Sequence, residues 1–592
     1  MASLLILLTI LAVWAGYKYY AVGIDRTVIR ADAAKATPAT MYNDGVDFMP
    51  ASSSVLFGYQ FKSIAALGPI VGPIVAVQWG WLPAMLWLVV GVFFVGWVHD
   101  YASAVMAMRS EGMTMAGLSH KLISPRARTI LLAFLYFYLL LIMGAFGAIA
   151  AGIFANPNVP VGFLVLTLAG VLAGQMTYKW RKDLLLTTLV TVGIAIVGIW
   201  LGTTGPARAV VDVINGGKDS FILYATPYGP MKWSVWFWGL VVLAFCYLGS
   251  VLPIWRFAQP VNYVSFWLVF LGILGAIAGI FIRMPGLGGF PAFTGFMAKG
   301  ILAKGVDTPL WPILFVTIAC GACSGWHSLV STSGTARQLE KETDALPVGA
   351  GAMFTECVLG VLSVVFAVTA FGGFAGYKAQ LAKGAGSVFA GGMAVYLHVL
   401  GIPLAFGGAF GAAFLVIMAL TVMQLVLRFM RVAGAEMVGE AIPVLKNVHV
   451  GTTVGLLLTL MILWTGFWQR IWILFGGSNQ LFAGLALVLI TIWLAQSGRA
   501  YRWALWPALF MYVTTVAALA VTAWASLHAA LDSISAPSPS IPFIFGDVIS
   551  AVIGVALTVL SLMLAWDAVL AFGKVRKQRA GGAATAAPVR AA

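Results

Sequence analysis

Charge is what this chain has least of. Only 9% of its 592 residues are Asp, Glu, Lys or Arg, against about 25% in soluble domains. With 61% hydrophobic residues, that shortage excludes a soluble fold. Strict alternation of polar and apolar residues is also missing, which excludes a membrane β-barrel; apolar runs of roughly 17 to 28 residues recur instead. Cysteines number four, Cys246, Cys320, Cys323 and Cys357, all in apolar segments, so no disulfide framework is expected. Cys320-Gly-Ala-Cys323 has C-x-x-C spacing but no second pair or His cluster, and is read as two small residues on one face of a packed helix. There is no phosphate-binding P-loop, no His-Glu-x-x-His and no pair of membrane aspartates, which argues against ATP-driven work and against an intramembrane enzyme. No cofactor is expected. The first apolar stretch lacks a basic leader and is read as a retained helix. The formal charge of +15 is spread over short loops, so no nucleic-acid surface is expected.

What is present is a series of membrane spans. Fifteen emerge: 3–20, 63–79, 82–107, 128–153, 160–177, 184–203, 234–255, 261–283, 311–335, 350–374, 403–430, 450–468, 470–495, 503–527 and 546–573. Residues 386–400 are a candidate re-entrant piece, and the basic, Ala/Gly-rich tail 574–592 reads as disordered. Alternate connections carry 25 and 9 of the 34 Lys and Arg. By the positive-inside rule this places the N-terminus outside and the C-terminus in the cytoplasm.

The stretch 63–79, SIAALGPIVGPIVAVQW, holds Gly68-Pro69 and Gly72-Pro73 in mid-span. Proline removes an N–H and crowds the preceding turn, and freed backbone groups in lipid must face protein, water or a ligand. Five spans run from 63 to 203 and five from 234 to 430, in opposite orientations. The second set opens on Leu248-Gly-Ser-Val-Leu-Pro253. Two interrupted helices at matching places in inverted halves are the sequence mark of a transporter site. The division read is a first helix and loop over 1–62, the two halves, and peripheral helices over 450–573.

The span 311–335 is rich in hydroxyls: Ser324, Ser328, Ser331, Thr332, Ser333 and Thr335. They suit Na⁺ or polar substrate atoms, or equally helix packing with hydroxyls bonded to the turn before. His99, Asp100, His327 and Glu356 are titratable groups inside spans and therefore candidate proton carriers, although His99 and Asp100 also suit a helix end near water. Asp547 and Asp567 read as structural. The polar segment 37–50 is unlike a spacer and is a candidate cap for the inner mouth. Asn479 and Gln480 read as amides bonding neighbouring helices.

These residues resemble the carbon starvation protein A family of peptide and pyruvate uptake permeases. The likeness is carried by Thr37-Pro-Ala with Asn43-Asp-Gly-Val-Asp47, Gly68-Pro-Ile-Val-Gly-Pro73, Trp79-Gly-Trp-Leu-Pro83, His99-Asp100, Ser250-Val-Leu-Pro-Ile-Trp255 with Gln259-Pro260, Ile318-Ala-Cys-Gly321 with Ser324-Gly325, and Phe475-Gly with Asn479-Gln480. Two places depart from it. Val261-Asn262 stand where the family usually has Arg-Asp, and Gln424, Leu425 and Leu427 fall where an Asp and Thr-rich positions are common. The resemblance implies an all-α polytopic membrane protein with a five-plus-five inverted-repeat core of the leucine-transporter type and extra peripheral helices. It implies import of small peptides or a short carboxylate such as pyruvate, driven by H⁺ or Na⁺, across a bacterial or archaeal inner membrane. A channel or nutrient sensor is the alternative; the oligomeric state is left open. Substrate contacts are expected at Gly68, Pro69, Gly72, Pro73, Gly249, Ser250, Pro253, Ser324 and His327. Coupling is expected at Ser331, Thr332, His327, Glu356, His99 and Asp100, with sodium at Ser331 and Thr332. A single cysteine placed at Lys574 should resist an impermeant thiol reagent applied to intact cells; labelling from outside would overturn the orientation.

Overall fold

The computed structural model describes every residue except 218, 303–305, 538 and 586–592. Among the described residues thirteen helices are long and apolar enough to cross a membrane, from Ala2–Ile29 to Ile541–Arg579. A bent pair, Ser53–Ile64 and Gly68–Trp79, meets at 45° and supplies a fourteenth. The remaining expected span, 311–335, is present as two half-helices, Leu310–Thr317 and Gly325–Ser333. Enclosure separates core from rim. The most apolar 18-residue stretches of Leu404–Val438, Glu342–Thr369 and Trp468–Gln496 are 94, 83 and 83% buried, whereas those of Ala2–Ile29 and Val448–Thr465 are 22 and 28% buried. Two antiparallel hairpins, Ile222–Thr226 with Gly229–Lys232 and Met297–Lys299 with Asp307–Pro309, lie in long connections.

The interruptions are not placed as the sequence suggested. In the first, the non-helical residues are 65–67, ahead of both Gly-Pro pairs. Pro69 sits in the first turn of Gly68–Ala76, where its missing N–H costs no helical bond, and only Pro73 lies inside the helix. The helix before the break, Ser53–Ile64, falls where the sequence predicts a loop, because Gln60, Lys62 and three serines dilute its hydropathy. The expected half 63–203 therefore begins ten residues late. The second expected break is absent: Trp233–Val251 runs unbroken through Gly249 and Ser250, and Pro253 lies beyond its end. The second interruption is instead at 318–324, within the hydroxyl-rich span. Six spans separate the two interrupted helices, so they run in opposite directions.

Their contacts confirm this in register. Gln60 bonds Ser331, Ser63 bonds Trp326, Gly68 meets Cys320 and Gly72 meets Thr317, so one number rises as the other falls. At the last two positions glycine lets its backbone approach closely, to the Cys320 side chain at Gly68 and to the Thr317 backbone at Gly72. A Cβ on Gly68 would stand 2.6 Å from Cys320 Sγ, and one on Gly72 2.4 Å from the Thr317 carbonyl. Gly68 and Gly72 share a helix face, and small residues four apart are the usual device for such proximity. Beyond the last span, the helix Ile541–Thr585 continues through 574–585, where disorder was expected; Ala, Lys, Arg and Gln propagate a helix already nucleated. Residues 586–592 lie outside the described region.

Gly72→Ala should lower stability by about 1–3 kcal/mol through overpacking. Gly408→Ala, which meets nothing within 4 Å, should be neutral or stabilising. Thermal unfolding of the two purified variants checks this.

Candidate functional site at the paired helix breaks

Unwound backbone in an apolar interior needs partners, and at 318–324 most come from one helix. Asn479, on Phe475–Gln496, accepts from the Trp326 N–H at 3.0 Å, from the Ser324 hydroxyl at 3.2 Å and from the Tyr138 hydroxyl at 2.7 Å. Its amide nitrogen donates to the Ala319 carbonyl. Gln480 donates to the Cys323 carbonyl at 2.8 Å and the Phe315 carbonyl at 3.3 Å. These amides do join helices, as expected, but what they hold is the break. At the first break the partners are Trp326, whose indole donates to the Ser63 carbonyl at 2.6 Å, and Lys62, whose ammonium donates to the Ala65 carbonyl at 3.2 Å. Lys62 is fully buried.

Beside the breaks lies a chain of titratable groups, all fully buried. His99 Nε2 accepts the Ser324 N–H at 3.3 Å, which leaves its proton on Nδ1, 2.6 Å from Asp100 Oδ1. Asp100 Oδ2 is 3.0 Å from His327 Nδ1, and His327 Nε2 is 3.2 Å from Glu356 Oε2. Two of these contacts are close without being hydrogen bonds: His99 Nδ1 and Asp100 Oδ1 have no hydrogen-bond partner, and neither have His327 Nε2 and both Glu356 oxygens. With Nδ1–H turned to Asp100, a neutral His327 presents a lone pair to a carboxylate. One added proton turns that repulsion into a bond. The chain joins three elements: Trp97–Met108, Gly325–Ser333 and Ala352–Thr369.

Cys320, His327 and Glu356 have donor atoms within 4.8 Å of one another. The C-x-x-C cysteines are not on a helix face as expected but in the break itself; all four cysteines are free and buried. On the side of the 297–309 hairpin, a cavity of about 210 Å³ reaches the breaks, lined by Leu67, Gly68, Gly72, Thr317 and Ala319 and walled by Trp472.

The sequence profile described as "Carbon starvation protein CstA" matches residues 1–375 and 373–518. The chain belongs to the CstA family. The "Peptide transporter CstA" of Campylobacter jejuni is 30% identical over 85% of this chain and 77% of its own length. The "Pyruvate/proton symporter BtsT" of Escherichia coli is 31% identical over 59% of this chain and 47% of its own. Among solved structures, the Eremococcus coleocola manganese transporter is similar with a TM-score of 0.45 and 12% identity, over 89% of this chain and 99% of that one.

In this CstA family member the structure gathers Gly68, Ser324, His327, Glu356, His99 and Asp100 at the breaks. Pro69, Gly72 and Pro73 follow on the helix that lines the cavity. Gly249, Ser250 and Pro253 are not with them. The Gly249 carbonyl accepts from Arg428, and the Ser250 hydroxyl faces Thr452 at 2.9 Å. The expected sodium ligands are also displaced. Ser331 accepts from Gln60, five residues before the first break, at 3.1 Å, and Thr332 donates to the Ser328 carbonyl at 2.8 Å. His99 and Asp100 do not end a helix near water, because the helix continues to Met108. Asp547 and Asp567 pair with Arg470 and Arg126, as structural residues do. The two departures from the family pattern meet in space: Gln424 donates to Asn262 at 2.8 Å, and Asn262 to Ser63 at 2.9 Å.

Replacing Asn479 by leucine strips partners from the Trp326 N–H and the Ala319 carbonyl. Each orphaned buried group costs about 1–3 kcal/mol. The variant should melt well below the parent, whereas Gln469→Leu on the cavity wall should not.

Proposed function

We propose that this protein is a proton-coupled importer of short peptides or of a small carboxylate such as pyruvate, working by alternating access around the paired breaks. One observation carries the coupling: the unbonded, fully buried contact between His327 Nε2 and Glu356. Its neighbours are Asp100, His99 at 6.0 Å between ring centroids, Cys320 and, across the first break, Lys62. With Lys62 charged and both carboxylates ionised the group carries one net negative charge, and a single proton on His327 neutralises it. Such a proton also bonds Gly325–Ser333 to Ala352–Thr369, so protonation and break geometry are linked. The names of relatives support this reading: several are called peptide transporters and one a pyruvate/proton symporter.

A substrate carboxylate has donors at the start of Gly68–Ala76. Among the described residues the Leu67 and Gly68 N–H groups have no main-chain acceptor, and both residues line the cavity. A helix N-terminus stabilises an anion there. The N-terminus of Gly325–Ser333 is less free, because its Ser324 and Trp326 N–H groups already serve His99 and Asn479.

In proteoliposomes with an acidic exterior, labelled pyruvate or dialanine should accumulate above its outside concentration, and a protonophore should abolish the accumulation. His327→Gln and Glu356→Gln should each lower it at least tenfold between pH 5.5 and 8, a range bracketing the imidazole pKa of about 6.5. Accumulation that survives both substitutions would exclude this coupling site. Uptake that only equilibrates would favour the channel, and binding without uptake the sensor.

A further inference from the structure

The two sides of the breaks are not equally open. Opposite the 210 Å³ cavity, the space lined by Asp47, Ser333, Arg337 and Arg428 measures about 20 Å³, room for about one water. The segment 43–51 reaches this space through Asp47. Its shape is set internally: Asp44 Oδ1 accepts the N–H groups of Val46, Asp47 and Phe48 at 2.8–2.9 Å, and Gly45 takes φ +67°. It is then tied to two groups of helices. Towards the second interrupted helix, Met49 and Ala51 donate to the carbonyls of Arg337 and Gln338, and the Arg337 guanidinium stands 5.0 Å over the Phe48 ring. Towards the opposite wall, Gly45 accepts from the Trp255 indole at 3.0 Å, Val46 from the Ile254 N–H at 3.0 Å, and Asp47 from Arg428.

Arg428 sits in the span Leu404–Val438 with a side chain only 4% exposed. A buried guanidinium inside a span is costly and needs partners for its donors. It finds one carboxylate, on Asp47, and two carbonyls, of Gly249 and Leu252, which end the helix Trp233–Val251 without helical donors of their own. Loss of Asp47 leaves that charge uncompensated against the wall, so the segment is held by the one contact the wall cannot replace.

We propose that residues 43–51 are the gate of the closed side and that Asp47 with Arg428 is its latch, released when the opposite cavity closes. The proposal goes beyond the transport reading, and its test needs no transported substrate. Ser333→Cys reports the closed side and Val75→Cys the open cavity. Maleimide labelling of each is timed in purified protein, with the parent as the control for the four buried cysteines. Asp47→Asn should speed labelling at position 333 at least fivefold and slow it at position 75 at least twofold, while Asp47→Glu stays near the parent. Trp255→Phe, which removes the second anchor, should move both rates in the same directions. Faster labelling at 333 with no change at 75 would make the segment a surface tie and overturn the gate. Rates within twofold of the parent in both Asp47→Asn and Trp255→Phe, each melting as the parent does, would overturn it as well. Failure of proton-driven uptake would leave these outcomes unchanged.

Discussion

Main chain released from a helix in an apolar interior must be bonded by something, and that requirement organises this molecule. Residues 318–324 are bonded by two adjacent amides, Asn479 and Gln480, from a helix whose most apolar stretch is 83% buried. At the first break the Ser63 carbonyl is bonded by an indole from the second interrupted helix and the Ala65 carbonyl by Lys62 from the first. Each break is thus stabilised partly by the other, and neither is simply a flexible point. The titratable chain starts from the same backbone, since His99 accepts the Ser324 N–H. The titratable chain and the main chain of the break thus share a hydrogen bond.

Composition and periodicity were enough to place the spans. The fifteen predicted segments all correspond to helices or paired half-helices, because a run of apolar residues leaves few alternatives. The breaks were harder. Gly-Pro pairs drew attention to 63–79, yet proline is tolerated in a first helical turn, so the unwinding lies just upstream. The Gly249–Pro253 motif has the same composition and ends a helix without breaking one. The real second break contains no proline at all: Ile318-Ala-Cys-Gly-Ala-Cys-Ser324 is small and apolar. Its unwinding is decided by amides about 160 residues away in sequence, as the Asn479 to Ala319 bond shows, and no local pattern carries that.

The site residues divide in the same way. His327, Asp100 and Glu356 were legible because ionisable groups inside spans are costly, although their contact with one another was not. Lys62 was missed by one position, since the assigned span began at Ser63. Arg428 was hidden near the end of a long span, where a basic residue resembles a membrane-edge anchor. The hydroxyls of 328–335 suited either an ion site or helix packing, and in this structure they make packing bonds. Ser328 and Thr332 bond the preceding turn and Ser331 a neighbouring glutamine, which is what hydroxyls do in any packed helix.

The close approach at Gly68 and Gly72 has a kinetic side. Where two helices meet through side chains, each re-formed contact freezes rotamers, and that ordering slows the return. Here glycine meets a carbonyl at Thr317 and the first atoms of a cysteine at Cys320, so almost no side-chain freedom is lost on docking. Separation and re-docking along this strip would therefore meet little entropic resistance.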